Sequence, residues 1–81
     1  MEKTEVIDWA LAHGWHKDRF GHLHRMMRNA ATGEPKQYRL KLSRIAARYE
    51  VRVGRDWVRV RSGYYSALYV DSAGELAGLD I

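Results

Sequence analysis

The amino-acid sequence predicts an α+β fold in which one N-terminal helix packs on a small antiparallel β-meander of about four to five strands. Two patterns support this fold class. Apolar residues recur at a helical period near the N-terminus, and from Tyr38 onward they alternate with charged residues at the period of two that half-buried strands show. The chain has 81 residues, which is enough for one small core, so we expect a single globular domain over residues 1–81.

The predicted helix lies in TEVIDWALAHG, residues 4–14. Four apolar residues recur there with helical spacing and form one stripe: Val6, Ile7, Ala10 and Leu11. We expect Thr4 to cap the N-terminus. Gly14 is expected to end the helix, because glycine readily adopts the left-handed conformation that follows a helix, and Trp15 is then expected to fold back on the last turn.

Residues 16–35 allow two interpretations. The segment RFGHLHRMMRN fits a strand, but it also fits a second helix with an apolar side formed by Leu23, Met26 and Met27. Gly21 and the isolated Phe20 favour the strand. The following AATGEP predicts a loop, because Gly and Pro close together interrupt regular structure.

Two half-buried strands are predicted next, in YRLKLS at residues 38–43 and in ARYEVRV at residues 47–53. Their connection through residues 43–46 contains no Gly, Pro or Asn. Either a turn or a bulged continuous strand therefore fits this connection.

The turn after the second of these strands is predicted at Arg55 and Asp56. This register pairs Arg52 with Arg59 and separates an apolar from a charged face of the sheet. Like charges in directly opposite positions destabilise a sheet by a few tenths of a kcal/mol, and a bound anion would relieve the repulsion.

The C-terminal segment contains the turn residues DSAG between apolar residues, which predicts a final short hairpin, with a short helix as the alternative. We find no repeat, low-complexity tract or Pro-rich linker.

The composition limits the class of protein. Hydrophobic residues make up 46 % of the chain and charged residues 30 %, which is typical of a globular domain. The absence of cysteine excludes disulfides and thiolate metal sites. The N-terminus does not resemble a signal peptide, and no apolar run approaches the roughly 20 residues of a membrane span. We therefore expect a cytoplasmic protein without membrane contact.

Positive charge is concentrated in one part of the chain. Between residues 36 and 61, nine Lys or Arg residues stand against two carboxylates, a net charge of +7, whereas the whole chain carries +4. A sheet face with this excess attracts polyanions, and an aromatic ring beside guanidinium groups can stack on unpaired bases. We predict non-enzymatic binding of DNA or RNA by seven residues: Arg39, Lys41, Arg48, Arg52, Trp57, Arg59 and Arg61. The alternative is an ordinary solvated surface that keeps the protein soluble.

A protein-protein interaction module or a homodimer is the second functional hypothesis. Tyr64, Tyr65 and Tyr69 follow the arginine-rich segment, and tyrosine and arginine are enriched at the energetically dominant positions of interfaces. These tyrosines also suit packing in a small core.

All four histidines precede residue 25, and His22 and His24 would share one face of an extended strand. Such a pair can contribute to a metal site, but a zinc site needs three or four ligands, and the spacing supplies no others. A histidine beside arginine can also act as a general base in RNA cleavage. No catalytic residue, metal site or cofactor is predicted.

The opening EVIDWALAHGW, eleven residues long, resembles the start of HicA-type toxin ribonucleases, which are small helix-plus-sheet proteins. The resemblance implies a ribonuclease that uses His22 or His24, and this is the third functional hypothesis. The Gly-Ser-His stretch of that family is replaced here by Gly-His-Leu-His at residues 21–24, and the sequence predicts no matching C-terminal helix.

Overall fold

The predicted fold class is confirmed by the computed structural model, which describes residues 1–80. Its regular elements follow in chain order: α1 (Lys3–Ala12), β1 (His16–Lys17), β2 (Leu23–Arg28), β3 (Pro35–Leu42), β4 (Ala46–Val53), β5 (Asp56–Tyr64), a 3-10 turn (Tyr65–Ala67), β6 (Tyr69–Val70) and β7 (Leu76–Ala77). Strands β1 to β5 form one antiparallel meander, and β6 and β7 form a separate hairpin. Within residues 1–80, no helix is long and apolar enough to span a lipid bilayer.

Helix α1 begins before the predicted cap, at Lys3, and its N-cap is Glu2, so the assignment of Thr4 as the cap was wrong. The Glu5 carboxylate accepts a hydrogen bond from the backbone N–H of Glu2 at 2.7 Å. This contact satisfies a backbone donor that the first helical turn leaves free, and it places negative charge at the positive end of the helix dipole.

The C-terminal end of α1 follows the sequence prediction. Gly14 adopts a φ of +85°, and the backbone N–H of Trp15 donates to the carbonyl of Ala10 at 3.0 Å. This reversal returns the indole of Trp15 to the core, where only 5 % of the residue is exposed.

The strand interpretation of residues 16–35 is confirmed, because β2 pairs with β3 along its whole length. Asp18 shapes the turn that leads into β2. Its Oδ1 accepts hydrogen bonds from the backbone N–H groups of Phe20 at 2.8 Å and His22 at 3.0 Å.

The connection between β3 and β4 is a turn, and the two strands are separate. Ser43 stabilises the turn, since its Oγ accepts from the backbone N–H of Ala46 at 3.1 Å. Serine forms such turns through its own hydroxyl, which explains why the chain reverses here without Gly, Pro or Asn.

The register of the β4–β5 hairpin differs from the predicted one by two residues. Gly54, with a φ of +62°, and Arg55 form the turn, so that Val53 pairs with Asp56. The predicted opposition of Arg52 and Arg59 was therefore wrong, and Arg52 lies opposite Trp57.

A β-bulge interrupts the same hairpin. Glu50 pairs with Arg59 and Tyr49 pairs with Arg61, so Val60 is an extra residue on β5. A single extra residue reverses the alternation of side chains beyond it. Arg61 therefore lies on the opposite face of the sheet from Arg59.

The core lies on one face of the meander, between the sheet, α1 and the C-terminal segment. Its buried apolar residues are Val6, Ala10, Trp15, Leu23, Leu40, Leu42, Ala47, Tyr65 and Leu68. We call the other face of the sheet, which carries the alternate side chains of β2 to β5, the open face.

Candidate nucleic-acid interface

Six of the seven residues predicted to bind nucleic acid lie on the open face. They are Arg39, Lys41, Arg48, Arg52, Trp57 and Arg59. The bulge excludes Arg61 from this group. The open face of β3 to β5 thus presents five cationic side chains, with Glu50 as the carboxylate among them.

The structure contains a like-charged cross-strand pair, although not the predicted one. Lys41 lies directly opposite Arg48, and Arg48 lies opposite Ser62, so the three residues form a row across three strands. The Lys41–Arg48 opposition costs a few tenths of a kcal/mol, which the nearby Glu50 carboxylate, 3.7 Å from Nε of Arg48, offsets in part. This row, the basic row, is therefore a place where an anion would be stabilised.

A shallow hollow of about 430 Å³ opens beside the basic row. Three cations and two hydroxyls contribute to its lining: Lys41, Arg48, Arg59, Ser43 and Ser62. Within the described part of the chain, no carboxylate lines the hollow. The Nη1 of Arg59 donates to Ser62 Oγ at 3.3 Å, which holds this guanidinium near the rim.

Glu50 lies beneath the arginines of the open face and is only 3 % exposed. Its Oε1 accepts from Nε of Arg39 at 2.7 Å, and its Oε2 lies 3.7 Å from Nε of Arg48. A buried carboxylate is stable only when its charge is paired, and Arg39 supplies that pairing. Glu50 therefore fixes the position of one guanidinium while leaving the face strongly positive.

Trp57 occupies the centre of a second group on the open face. The Arg39 guanidinium lies 4.4 Å from the ring centroid, and that of Arg52 lies 6.0 Å away. The imidazole of His24 contacts the indole edge-on, with 5.6 Å between ring centroids. Such contacts hold the indole in one orientation beside two cations. We call these four residues the tryptophan cluster.

His24 is tied in turn to the β1–β2 turn, because its Nε2 lies 2.6 Å from Oδ2 of Asp18. Partial burial alone would raise the pKa of Asp18, but hydrogen bonds from His24 and from the backbone N–H groups of His22 and Phe20 lower it to about 2. Asp18 is therefore charged at neutral pH.

The histidine geometry is poorly suited to a general base. The Nδ1 of His22 accepts the backbone N–H of Leu42 at 3.0 Å, so its lone pair is already used. Partial burial lowers the pKa of His22, and Arg39 and Lys41 lower it further against the opposing charge of Asp18. The Nδ1 of His24 is buried without a hydrogen-bond partner. A base must reach the proton that it removes.

The three tyrosines of the protein-interaction hypothesis do not share one surface. Tyr65 is buried in the core, where its hydroxyl donates to the carbonyl of Ser43 at 2.7 Å. Tyr64 and Tyr69 are 54 % and 57 % exposed, but Tyr64 ends β5, whereas Tyr69 lines a cleft on the core side. Their role in binding a partner stays a prediction.

That cleft, of about 470 Å³, receives Arg61. Arg25 also lines it, and the aromatic ring of Tyr49 lies between strands that carry the two arginines. Burial raises the pKa of Tyr49 to about 12, with a further contribution from Tyr38 and against the effect of both arginines. Glu75 and Asp80 contribute opposite charge to the same cleft, so it lacks the one-sided charge of the hollow.

Metal chemistry gains no support from the arrangement of the described side chains. Among residues 1–80, no group of three or more His, Asp or Glu side chains is placed to hold a metal ion.

Neither protein-family models, nor curated proteins, nor solved structures gave a match to this chain.

Sequence reasoning missed the contributions of Glu50 and Ser62. Their importance depends on the hairpin register, which the predicted turn misplaced. The sequence does contain a signal for the correct turn at Gly54 and Arg55, because Gly at the first position of a two-residue turn is a common hairpin pattern.

Proposed function

We propose that this protein binds single-stranded nucleic acid across the open face of its sheet, without catalysing a reaction. The observation that carries the proposal is the charge of the open face of β3 to β5. Five cations lie there with one carboxylate, and that carboxylate is buried and paired.

The phosphate backbone supplies most of the affinity in this proposal. Guanidinium groups match phosphate oxygens with two parallel donors, and four of the five cations are arginines. The repulsion between Lys41 and Arg48 falls when a phosphate lies between them. Binding is therefore favoured by relief of repulsion as well as by new contacts.

The tryptophan cluster favours a single strand over a duplex. Unpaired bases expose their faces for stacking, and base–aromatic stacking contributes about 1–3 kcal/mol per base. Trp57 lies beside two guanidinium groups. The indole can stack on a base while a neighbouring guanidinium contacts the phosphate of the same nucleotide. Duplex bases are already stacked on one another and gain nothing from such a surface.

The test is fluorescence anisotropy of a labelled single strand at about 50 and 200 mM salt. Arg39 already pairs with Glu50, so four cations remain for phosphate contacts, and the log–log slope for a single strand is then about −2.8, roughly a fiftyfold loss of affinity over this range. The double variant Lys41→Gln/Arg48→Gln removes two contacts, so its slope should be shallower by about 1.4.

The matched control is Lys3→Gln/Lys17→Gln, which removes the same net charge from α1 and β1. It should retain a slope close to that of the unmodified protein. Salt-independent binding, or equal effects of the two double variants, would show that the open face is not the binding surface.

A further inference from the structure

We propose that the hollow beside the basic row is a subsite for a phosphate monoester, the terminal phosphate of a strand that lies across the open face. The inference rests on the proposed function and adds an end preference to it. Three of the eight residues that line the hollow are cations, Lys41, Arg48 and Arg59, and no carboxylate of residues 1–80 lines it.

The charge of the hollow matches a monoester better than a phosphodiester. A monoester carries about −1.5 to −2 at neutral pH and offers three free oxygens, whereas a backbone diester carries one charge and has two free oxygens. The direct opposition of Lys41 and Arg48 is relieved most by a ligand with two negative charges. The cations around this concavity, of which Arg48 also lies 3.7 Å from Oε2 of the buried Glu50, therefore favour the terminal group.

The hydroxyls of the hollow have different roles. Ser43 Oγ donates to the carbonyl of Ala46 and accepts backbone N–H groups of the turn, so it has no hydrogen left for a ligand. Ser62 Oγ accepts from Arg59, which leaves its own hydrogen available. Ser62 is thus placed to donate to a phosphate oxygen between Arg48 and Arg59.

The position of the hollow on the sheet suits the end of a bound nucleic-acid strand. It lies beside the β3–β4 turn, whereas the tryptophan cluster lies nearer the β4–β5 turn. Arg48 and Arg52 mark the two sites on β4, four residues or about 13 Å apart. A nucleic-acid strand whose terminal phosphate occupies the hollow can extend along β4 and reach Trp57 with one of its first bases.

The experiment compares one short single strand with a 5′-phosphate, a 3′-phosphate or hydroxyl ends, in anisotropy competition at fixed salt. We expect one phosphorylated form to bind about tenfold more tightly than the hydroxyl form, the effect of one additional charged hydrogen-bonded group. In Arg48→Gln and Ser62→Ala this ratio should fall to about one.

Arg52→Gln is the matched control. This variant removes a cation from β4 outside the hollow. The phosphorylated and the hydroxyl nucleic acid should therefore lose affinity equally, and the tenfold ratio between them should persist. Thermal denaturation of each variant separates loss of the subsite from loss of the fold.

A nucleoside monophosphate and inorganic phosphate are included as competitors. Displacement of the phosphorylated strand by the monophosphate, abolished in Arg48→Gln, supports the subsite and shows that the phosphate is recognised without the rest of the strand. Equal, salt-dependent binding of the phosphorylated and hydroxyl strands would overturn the subsite and leave the proposed function standing. Binding of the monophosphate alone would support the subsite and overturn the proposed function, and binding of neither would overturn both.

Discussion

Glu50 is the residue on which the order of the open face depends, because it pairs with Arg39 while almost fully buried. Replacement by glutamine keeps the shape of the side chain and removes its charge. Removing one partner of a fully buried ion pair costs about 3–5 kcal/mol. The Arg39 side chain retains 17 % exposure, so we expect Glu50→Gln to lower the free energy of unfolding by about 2 kcal/mol.

Urea denaturation measures this change, with Asp56→Asn as the control. Asp56 is an exposed carboxylate at the start of β5, and its replacement changes the net charge equally. Its effect should stay within about 0.5 kcal/mol. If both variants lost the same stability, the pairing of Glu50 would not contribute.

The stability of the folded protein depends on pH through the carboxyl group of Asp18. Its pKa falls from 3.8 to about 2 on folding, so the folded state favours the charged carboxylate. The corresponding stabilisation is complete above the unfolded pKa and is lost as the pH falls from about 4 to about 2. We expect the melting temperature of Asp18→Asn to depend less on pH across this window than that of the unmodified protein.

Asp71→Asn is the control for the pH experiment. Asp71 also accepts two backbone N–H groups in a turn, but no imidazole pairs with it. An Asp18→Asn protein with an unchanged melting profile between pH 4 and pH 2 would contradict the prediction.

Strand β5 packs closely against the C-terminal segment at Gly63, on the core side of the sheet. A Cβ added at Gly63 would lie 2.5 Å from the carbonyl oxygen of Gly78, which is closer than real Cβ contacts allow. Gly63→Ala must therefore separate β5 from the C-terminal segment. Such overpacking costs about 1–3 kcal/mol, which lowers the melting temperature of a domain this size by roughly 5–20 °C.

Differential scanning calorimetry measures this loss. Ser62→Ala, at the neighbouring position on the open face, adds no atom to this contact and should melt within a few degrees of the unmodified protein. A Gly63→Ala protein as stable as the original would show that the contact relaxes without cost.

The elements themselves were predictable because each depends on local periodicity. The helix, the strand alternation and the final DSAG hairpin all appear in the structure, although Leu11 of the predicted apolar stripe is exposed. The register of the β4–β5 hairpin was harder to predict, since it depends on whether Gly54–Arg55 or Arg55–Asp56 forms the turn. The bulge at Val60 is visible only in the pairing of β5 with β4, and no local pattern in the sequence of β5 marks it.

The whole molecule separates two chemical surfaces by a single sheet. Its open face carries the basic row, the hollow and the tryptophan cluster, whereas its core side carries a cleft of mixed charge. The composition predicted the excess of positive charge, and alternation assigned all seven binding candidates to one face, where the structure places six of them. The burial of Glu50 and the placement of Arg61 required the tertiary register, which no single strand determines.

The extra residue in β5 also affects how this protein can change through mutation. Loss of Val60 alone would restore continuous pairing of β5 with β4 and would leave Arg61 toward the core and Ser62 toward the open face, as they are now. The same one-codon deletion in a regular part of the strand would turn every later side chain to the other face. Position 60 is therefore the place in β5 where descendants of this chain could lose a residue without exchanging side chains between the two surfaces.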